Sequence, residues 1–134
     1  MKIPQGAIVA VADGQKLSLF HNTGDEANPK LTSSPVGNIG TSNKSGGAGH
    51  SSSSADPDHS QVDEDSFTAG VAEVLNKQAI EGKVKGLIVI AAPRTLGELR
   101  KHYHQKLKDV LLGEISKDLT GQTGDDIQKA IASA

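Results

Sequence analysis

Short apolar runs separated by turn signals open the chain. Residues 7–12 form an apolar run of strand length, and residues 16–21 alternate between apolar and polar side chains. The Asp13-Gly14 pair between them is a strong hairpin signal, because glycine adopts positive φ without a steric penalty. Residues 30–33 have strand character, and the prolines on either side favour an edge position. The pattern predicts an N-terminal hairpin and a third, peripheral strand.

Residues 35–65 differ in composition from the chain on either side. Glycine is interleaved with serine and asparagine, four serines follow at 51–54, and the second half is acidic. Such a stretch has too few apolar side chains to offset the entropy cost of ordering it. We predict a long mobile loop within one domain, because neither flank would form a core alone.

Helix and strand patterns alternate after this loop. Asp65 and Ser66 are good N-caps, apolar side chains then recur at helical spacing, and Gly82 is a natural stop. The continuous aliphatic run of residues 86–92 is typical of a central strand that is covered on both faces.

A second helix, another strand and a last helix follow Pro93. Thr95 and Glu98 match a capping box, with Thr95 as the N-cap. The buried stripe of this helix is predicted at Leu96, Leu99, Tyr103 and Leu107. Residues 110–112 lie in the next predicted strand, and a short helix begins near Gly124.

The strand–helix–strand unit over residues 86–115 is a βαβ crossover, which is expected to be right-handed with parallel strands. We therefore predict a single α/β domain over residues 1–134. Its architecture is a mixed, mostly parallel sheet with an N-terminal β-hairpin and flanking helices.

Composition narrows the classes of function. A length of 134 residues fits one domain. The core must be aliphatic, because Phe20, Phe67 and Tyr103 are the only aromatic residues, and this argues against a surface that stacks RNA bases on rings. The absence of cysteine excludes disulfides, cysteine-ligated zinc and thiol catalysis. A formal net charge of −2 excludes a globally basic nucleic-acid binder but leaves room for local basic patches.

No targeting or membrane pattern is visible in the sequence. The longest apolar run, residues 87–92, is far shorter than the roughly 20 residues that a spanning helix needs. The first residues lead directly into a strand pattern and lack the long apolar stretch of a signal peptide. We expect a cytoplasmic protein with no membrane insertion.

Four stretches of the chain carry the pattern of a known family. They are Val-Ala-Val-Ala-Asp-Gly at 9–14, Leu-Phe-His-Asn-Thr-Gly-Asp at 19–25, Ala-Ala-Pro-Arg-Thr-Leu-Gly-Glu-Leu-Arg at 91–100 and Gly-Glu-Ile-Ser-Lys-Asp-Leu-Thr at 113–120. Here the chain resembles the bacterial host attachment protein family, which is also classed among bacterial relatives of archaeo-eukaryotic release factors. The resemblance implies the ribonuclease H-like α/β fold of the release factors' middle domain and a link to attachment to host cells.

The same resemblance limits the chemistry. Translation release factors carry a Gly-Gly-Gln loop before the first long helix of this domain. Gly46 and Gly47 lie in the corresponding loop, but Ala48 follows where the glutamine is needed. Peptidyl-tRNA hydrolysis is therefore not implied, and a binding role at the ribosome or on RNA rests on analogy of fold.

An anion site is the first candidate. Ligands of open α/β sheets bind beyond the carboxyl ends of the strands, where Arg94 and Thr95 follow one predicted strand and Glu114, Lys117 and Asp118 belong to the next. A helix that begins at Thr95 also directs N–H groups there. The alternative is structural: Thr95 and Glu98 only cap the helix, and Arg94 pairs with Asp118.

Two further candidates are a basic helix and a glycine loop. Arg100 and Lys101 lie on a stretch with an excess of positive charge that suits RNA phosphates, or that is simply a solvated helix face. Gly46, Gly47 and His50 would allow close approach to a backbone or phosphate, although their composition is also that of a flexible linker.

Metal and catalytic sites have weaker support. His102 and His104 are two residues apart and do not share a helix face. Asp13, Glu114 and Asp118 are the plausible carboxylate set for a two-metal nuclease. We expect no catalytic residues, no metal and no cofactor.

We hence expect a non-enzymatic interaction protein that binds RNA, the ribosome or a protein partner and affects host attachment indirectly. A metal-dependent nuclease and a direct host-contact adhesion factor are the alternatives, and the sequence leaves the oligomeric state open.

Overall fold

The computed structural model describes residues 1–36 and 59–134, and for residues 59–62 it describes the backbone alone. Its strands are β1 (Ile8–Ala12), β2 (Leu17–Asn22), β3 (Leu31–Ser34), β4 (Leu87–Ala91) and β5 (Leu111–Ser116). Its helices are α1 (His59–Ile80), α2 (Pro93–Arg100), α3 (Gln105–Val110) and α4 (Gly124–Ala132). In the described part of the chain, no helix has the length and apolar character needed to cross a bilayer.

The strands form one mixed sheet in the order β3-β2-β1-β4-β5. β2 is antiparallel to both β1 and β3, whereas β4 is parallel to both of its neighbours, β1 and β5. All strands but β2 therefore run in one direction. The predicted hairpin, the edge position of β3 and the parallel β4–β5 pair are confirmed. The α/β fold class is confirmed as well.

The first hairpin turn is held by Asp13. Its carboxylate Oδ1 accepts the N–H groups of Gln15 at 2.7 Å and Lys16 at 2.6 Å, and its own N–H donates to the Lys16 carbonyl at 3.0 Å. Aspartate favours turns because its short side chain can accept backbone N–H groups two or three residues ahead. The sequence signal at Asp13-Gly14 thus has a direct structural cause.

The core has two aliphatic layers, one on each face of the sheet. Alternate residues of β1 and β4 point to opposite faces, as the two-residue period of a strand requires. Helices α1, α2 and α3 cover the face that carries Ala10 and Val89. Helix α4 covers the other face, where Ile127 and Ile131 pack against Val9, Val11, Ile88 and Ile90. The prediction of an aliphatic core is confirmed.

Helix α1 begins earlier than predicted. It starts at His59 rather than near Asp65 and Ser66, so the last seven residues of the predicted loop, 59–65, are helical. The first turns of the helix are polar, which removes the apolar period on which the prediction depended. Of the predicted mobile loop, residues 37–58 lie outside the described part of the chain.

The single basic helix predicted after Pro93 is two helices. α2 ends at Arg100 and α3 begins at Gln105, with a turn between them. Asn76 of α1 supports this turn, because its Nδ2 donates to the His102 carbonyl at 2.8 Å and its Oδ1 accepts the His104 N–H at 2.9 Å. His104 then caps α3, since its Nδ1 accepts the Lys106 N–H at 3.0 Å. A uniform helical pattern in the sequence gives no signal for this break.

The strand after this turn is also shifted from the prediction. β5 begins at Leu111 rather than at residue 110 and continues to Ser116. Leu112 is an extra residue in the β4–β5 register, because Leu87 pairs with Leu111 and Ile88 with Gly113. A bulge of this kind bends a strand locally and is invisible to a two-residue alternation pattern.

We predict that Asn76→Ala lowers the free energy of unfolding by about 1–2 kcal/mol, because two backbone groups of the α2–α3 turn lose their partner. Urea denaturation measures the change. The matched control is Gln78→Ala on the same helix, for which we expect a change of at most about 0.5 kcal/mol. Equal losses in the two variants would show that Asn76 does not support the turn.

Candidate functional site

Three parallel strands end side by side at one edge of the sheet, which we call the carboxyl edge. Ala12, Ala91 and Ser116 are the last residues of β1, β4 and β5. The register aligns Ala12 with Ala91 and Ala91 with Ser116. Residues 13–14, 93–95 and 117–118 therefore follow at neighbouring positions. This is the edge of open α/β sheets at which ligands bind. The predicted proximity of the segments that carry Arg94 and Lys117 is confirmed at the level of the backbone.

The cations at the carboxyl edge have no acidic partner among the described residues. Arg94 and Lys117 are both exposed, and neither side chain forms a hydrogen bond or ion pair within residues 1–36 and 59–134. The structural alternative, an Arg94–Asp118 ion pair, is wrong. Within the part of the chain that the structure describes, both cations are therefore available to an anion from solvent.

Asp118 closes the turn after β5. Its Oδ1 accepts the Thr120 hydroxyl at 2.5 Å and the Thr120 N–H at 3.2 Å. The hydroxyl bond, followed by the backbone bond, lowers the pKa of Asp118 below its ordinary value. A carboxylate with these local partners is a turn residue, and it stays ionised at neutral pH.

The expected capping box at Thr95 is absent. The N-cap of α2 is Ala92, three residues before Thr95; it makes no side-chain bond, and Pro93 is in the first turn. Proline is well suited to the first helical position because its fixed φ matches the helix and its missing N–H is not needed there. The first helical bond runs from the Leu96 N–H to the Ala92 carbonyl at 2.8 Å. Thr95 consequently lies inside the first turn and does not cap it.

Helices α2 and α3 are basic, and together their surface extends from the carboxyl edge, where α2 begins, to the opposite edge, where α3 leads into β5. Five lysines and arginines against two carboxylates over residues 93–110 give a net charge of +3. Lys106 and Lys108 are exposed and have no ion-pair or hydrogen-bond partner for their ammonium groups within the described chain. Arg100 and Lys101, the two predicted binding residues on this surface, are instead ion-paired. Among the described residues of these two helices and the carboxyl edge, the cations without an acidic partner are therefore Arg94, Lys106, Lys108 and Lys117.

Glu114 anchors this surface to the sheet. It pairs with Val89 in the middle of β5, so it does not lie at the strand end with Lys117. Its Oε1 accepts Arg100 Nε at 3.0 Å and Nη2 at 2.6 Å, and its Oε2 accepts the Tyr103 hydroxyl at 3.0 Å. Burial, and then the negative charge of Glu114, raise the pKa of Tyr103 far above its ordinary value. The phenol therefore stays protonated and remains a donor.

Arg100 is held by the same carboxylate. The hydrogen bond to Glu114 and the attraction between the two charges raise the pKa of Arg100 above its ordinary value. Its role in the structure is to join the end of α2 to β5. The sequence pattern does not predict this network, because nothing in it relates a residue of β5 to the α2–α3 turn.

Glu98 holds the polar side of α2. It accepts Lys101 Nζ at 3.1 Å and contacts His102 Nε2 at 3.3 Å. The hydrogen bond from Lys101 contributes most to lowering the pKa of Glu98. The residue expected to complete a capping box thus balances the charge at the end of the helix.

The carboxylates considered for a nuclease do not converge. Asp13 holds the hairpin turn, Glu114 lies beneath Arg100 and Tyr103, and Asp118 bonds to Thr120. Within the described residues, no group of three or more His, Asp or Glu side chains is arranged to hold a metal ion. The loop candidates Gly46, Gly47 and His50 lie outside these residues.

Residues 6–131 match the family model described as bacterial archaeo-eukaryotic release factor family 12. The chain belongs to this family. No curated protein matches the chain. The predicted relationship to release factors is confirmed, and the family description does not mention host attachment.

We predict that Tyr103→Phe lowers the free energy of unfolding by about 1–2 kcal/mol, because a partly buried carboxylate loses a donor. Arg100→Gln is expected to weaken the same network. A double-mutant cycle in urea should give a non-zero coupling energy, since both side chains contact Glu114. Additive losses would show that the two contacts are independent.

The lowered pKa of Glu98 predicts a pH dependence. A group with a lowered folded-state pKa stabilises the fold above its unfolded pKa, and this contribution is lost as pH falls through the folded value. We expect wild type to exceed Glu98→Gln in stability by less than about 1 kcal/mol near neutral pH, as for other exposed pairs. The difference should shrink below the ordinary value of 4.5.

Urea titrations at several pH values between neutral and strongly acidic test this. Glu73→Gln, at an exposed position of α1, is the control, and its effect should not change in the same way. A difference for Glu98→Gln that persists at the acidic end would contradict the assignment.

Proposed function

We propose that this chain is a non-enzymatic interaction protein that binds RNA, with the ribosome as the expected source of that RNA. Membership of a release factor family is the observation that carries the proposal. Release factors, after which the family is named, act in translation on the ribosome, which is a ribonucleoprotein. Any influence on attachment to host cells is then an indirect consequence of this binding.

The distribution of charge supports one surface for this role. We assign the RNA contact to the carboxyl edge together with the basic surface of α2 and α3. Arg94 and Lys117 are exposed at the carboxyl edge and Lys106 and Lys108 are exposed on α3, toward the opposite edge, all without acidic partners among the described residues. Phosphates bind cations of this kind and release counterions, so local patches suffice even though the whole chain carries a net charge of −2.

The aromatic residues support contact with phosphates rather than with bases. Phe20 packs on the α4 side of the core, and Phe67 and Tyr103 pack on the other side. The Tyr103 hydroxyl is also bonded to Glu114. Binding by stacked bases needs exposed rings. We therefore expect binding that depends strongly on salt and weakly on sequence.

Arg100 and Lys101 have a different role in this proposal from the one expected from sequence. Arg100 is a positioning residue, because its guanidinium is bonded to Glu114 and holds α2 in place. Lys101, whose side chain is 70% exposed, is ion-paired with Glu98 and therefore contributes less net charge than an unpaired lysine. Variants that test binding should therefore spare Arg100.

We predict that Lys106→Glu/Lys108→Glu weakens binding to ribosomes and ribosomal RNA by about tenfold or more at low salt. Removing two phosphate contacts should lower the slope of log affinity against log salt by roughly 1.4–1.8. Arg94→Glu/Lys117→Glu should act in the same direction. Co-sedimentation and RNA retention at two salt concentrations measure both effects.

The matched control carries the same change of charge elsewhere. Lys30→Glu/Lys129→Glu changes two exposed lysines, Lys30 immediately before β3 and Lys129 in α4. This variant should bind like wild type apart from a small general effect of net charge. RNA recovered after incubation with Mg²⁺ should be intact. Equal losses in the control and test variants, no binding by wild type, or cleavage abolished by Asp118→Asn would each contradict the proposal.

A further inference from the structure

A cavity of about 450 Å³ lies on the α4 side of the molecule, away from the carboxyl edge. It is bounded by the first three residues, by the turn between β2 and β3, and by the outer side of α4. Because β2 is antiparallel to β1, the β2–β3 turn lies at the edge of the sheet opposite the carboxyl edge. The cavity is therefore near that opposite edge. No part of the proposed RNA surface contributes to it.

The walls of this cavity are largely apolar. Ile3, Ala27, Pro29 and Ala132 line it, and Ile3 is also part of the core on this face. A volume of about 450 Å³ lies within the roughly 300–1,000 Å³ typical of small-molecule sites. Such walls select a ligand with an apolar body of modest size, because burial removes apolar surface from water.

The rim of the cavity is charged and has an excess of cations. Lys2, Lys129 and Glu26 are among the lining residues. Lys129 has no ion-pair partner for its ammonium within the described residues. Lys2 and Glu26 form a long, exposed pair of 3.7 Å, which water and ligands can readily exchange. The rim consequently favours a ligand with a negative charge at one end.

The chain start and α4 are joined, so the cavity has a fixed wall. The Met1 ammonium donates to the Ile131 carbonyl at 3.1 Å and to a main-chain oxygen of Ala134 at 2.8 Å. A cation is favourable at a helix C-terminus, where carbonyl groups lack helical partners. Because this contact holds one wall against another, the ligand would not have to order both walls when it binds.

We propose that this cavity binds a small amphiphilic anion: an apolar chain or ring system between the apolar walls and a carboxylate at Lys129 and Lys2. This site is independent of the proposed RNA surface and does not rest on it. A simple anion without an apolar body gains no free energy from burial of apolar surface. An uncharged apolar molecule is not attracted by the positive charges of the rim. The ligand therefore needs both parts.

The test ligand is decanoate, used below the concentration at which it forms micelles. It is titrated into the full chain, and binding is followed by amide chemical shifts and by calorimetry. We expect saturable binding to wild type, with shifts at residues 1–3, 26–29 and 128–132. Acetate should not bind. Decanol should bind about fivefold more weakly than decanoate, which is the size of effect that an exposed charge pair supports.

Two variants separate the walls from the rim. Ala132→Trp places a large ring in the cavity and should weaken decanoate binding at least about tenfold, because the added volume competes with the ligand. Lys129→Gln should weaken it by roughly fivefold through the lost charge alone. Controls are Gln122→Trp, in the loop before α4, and Lys117→Gln at the carboxyl edge, both of which should bind decanoate like wild type.

Circular dichroism and thermal unfolding establish that each variant is folded before binding is compared. Absence of decanoate binding to wild type at millimolar concentration would overturn the proposal. So would binding that Ala132→Trp leaves unchanged, or shifts confined to other parts of the chain. None of these results bears on RNA binding, because decanoate binding is measured without RNA.

Discussion

The burial of β4 between β1 and β5 is the constraint on which the rest of the structure depends. Its residues, Leu87–Ala91, are all buried, and both of its neighbours run parallel to it. An aliphatic strand of this kind must be covered on both faces. Helices α1–α3 cover one face and α4 covers the other. The same parallel arrangement brings three strand ends to the carboxyl edge, so packing and site placement have a common cause.

Charge on the resulting surface is divided between residues that build it and residues that remain free. Arg100 and Tyr103 converge on Glu114, and Asn76 holds the turn between α2 and α3. These contacts position the helices against the sheet. The proposed function uses a different set, the exposed cations that have no acidic partner among the described residues. A positive charge in the sequence is therefore a poor guide to binding until its carboxylate partners are known.

Regular patterns predicted the fold well, and contacts between distant residues limited the prediction of the site. The hairpin at Asp13, the central strand and the start of α4 at Gly124 followed from local signals. The start of α1 did not, because its first turns are polar. The helix break depends on Asn76, and the fate of Arg100 depends on Glu114, partners at separations of 26–28 and 14 residues. Thr95 matched a cap motif, but Pro93 starts the helix before it.

Mapping of ribosomal RNA binding by amide chemical shifts tests the central claim most directly, because it locates the contact without altering the chain. Binding through the carboxyl edge and the α2–α3 surface should shift and broaden signals over residues 93–110 and 117–120 and leave α4 unchanged. Shifts concentrated on α4 and the β2–β3 turn, or no change with saturating RNA at low salt, would contradict it.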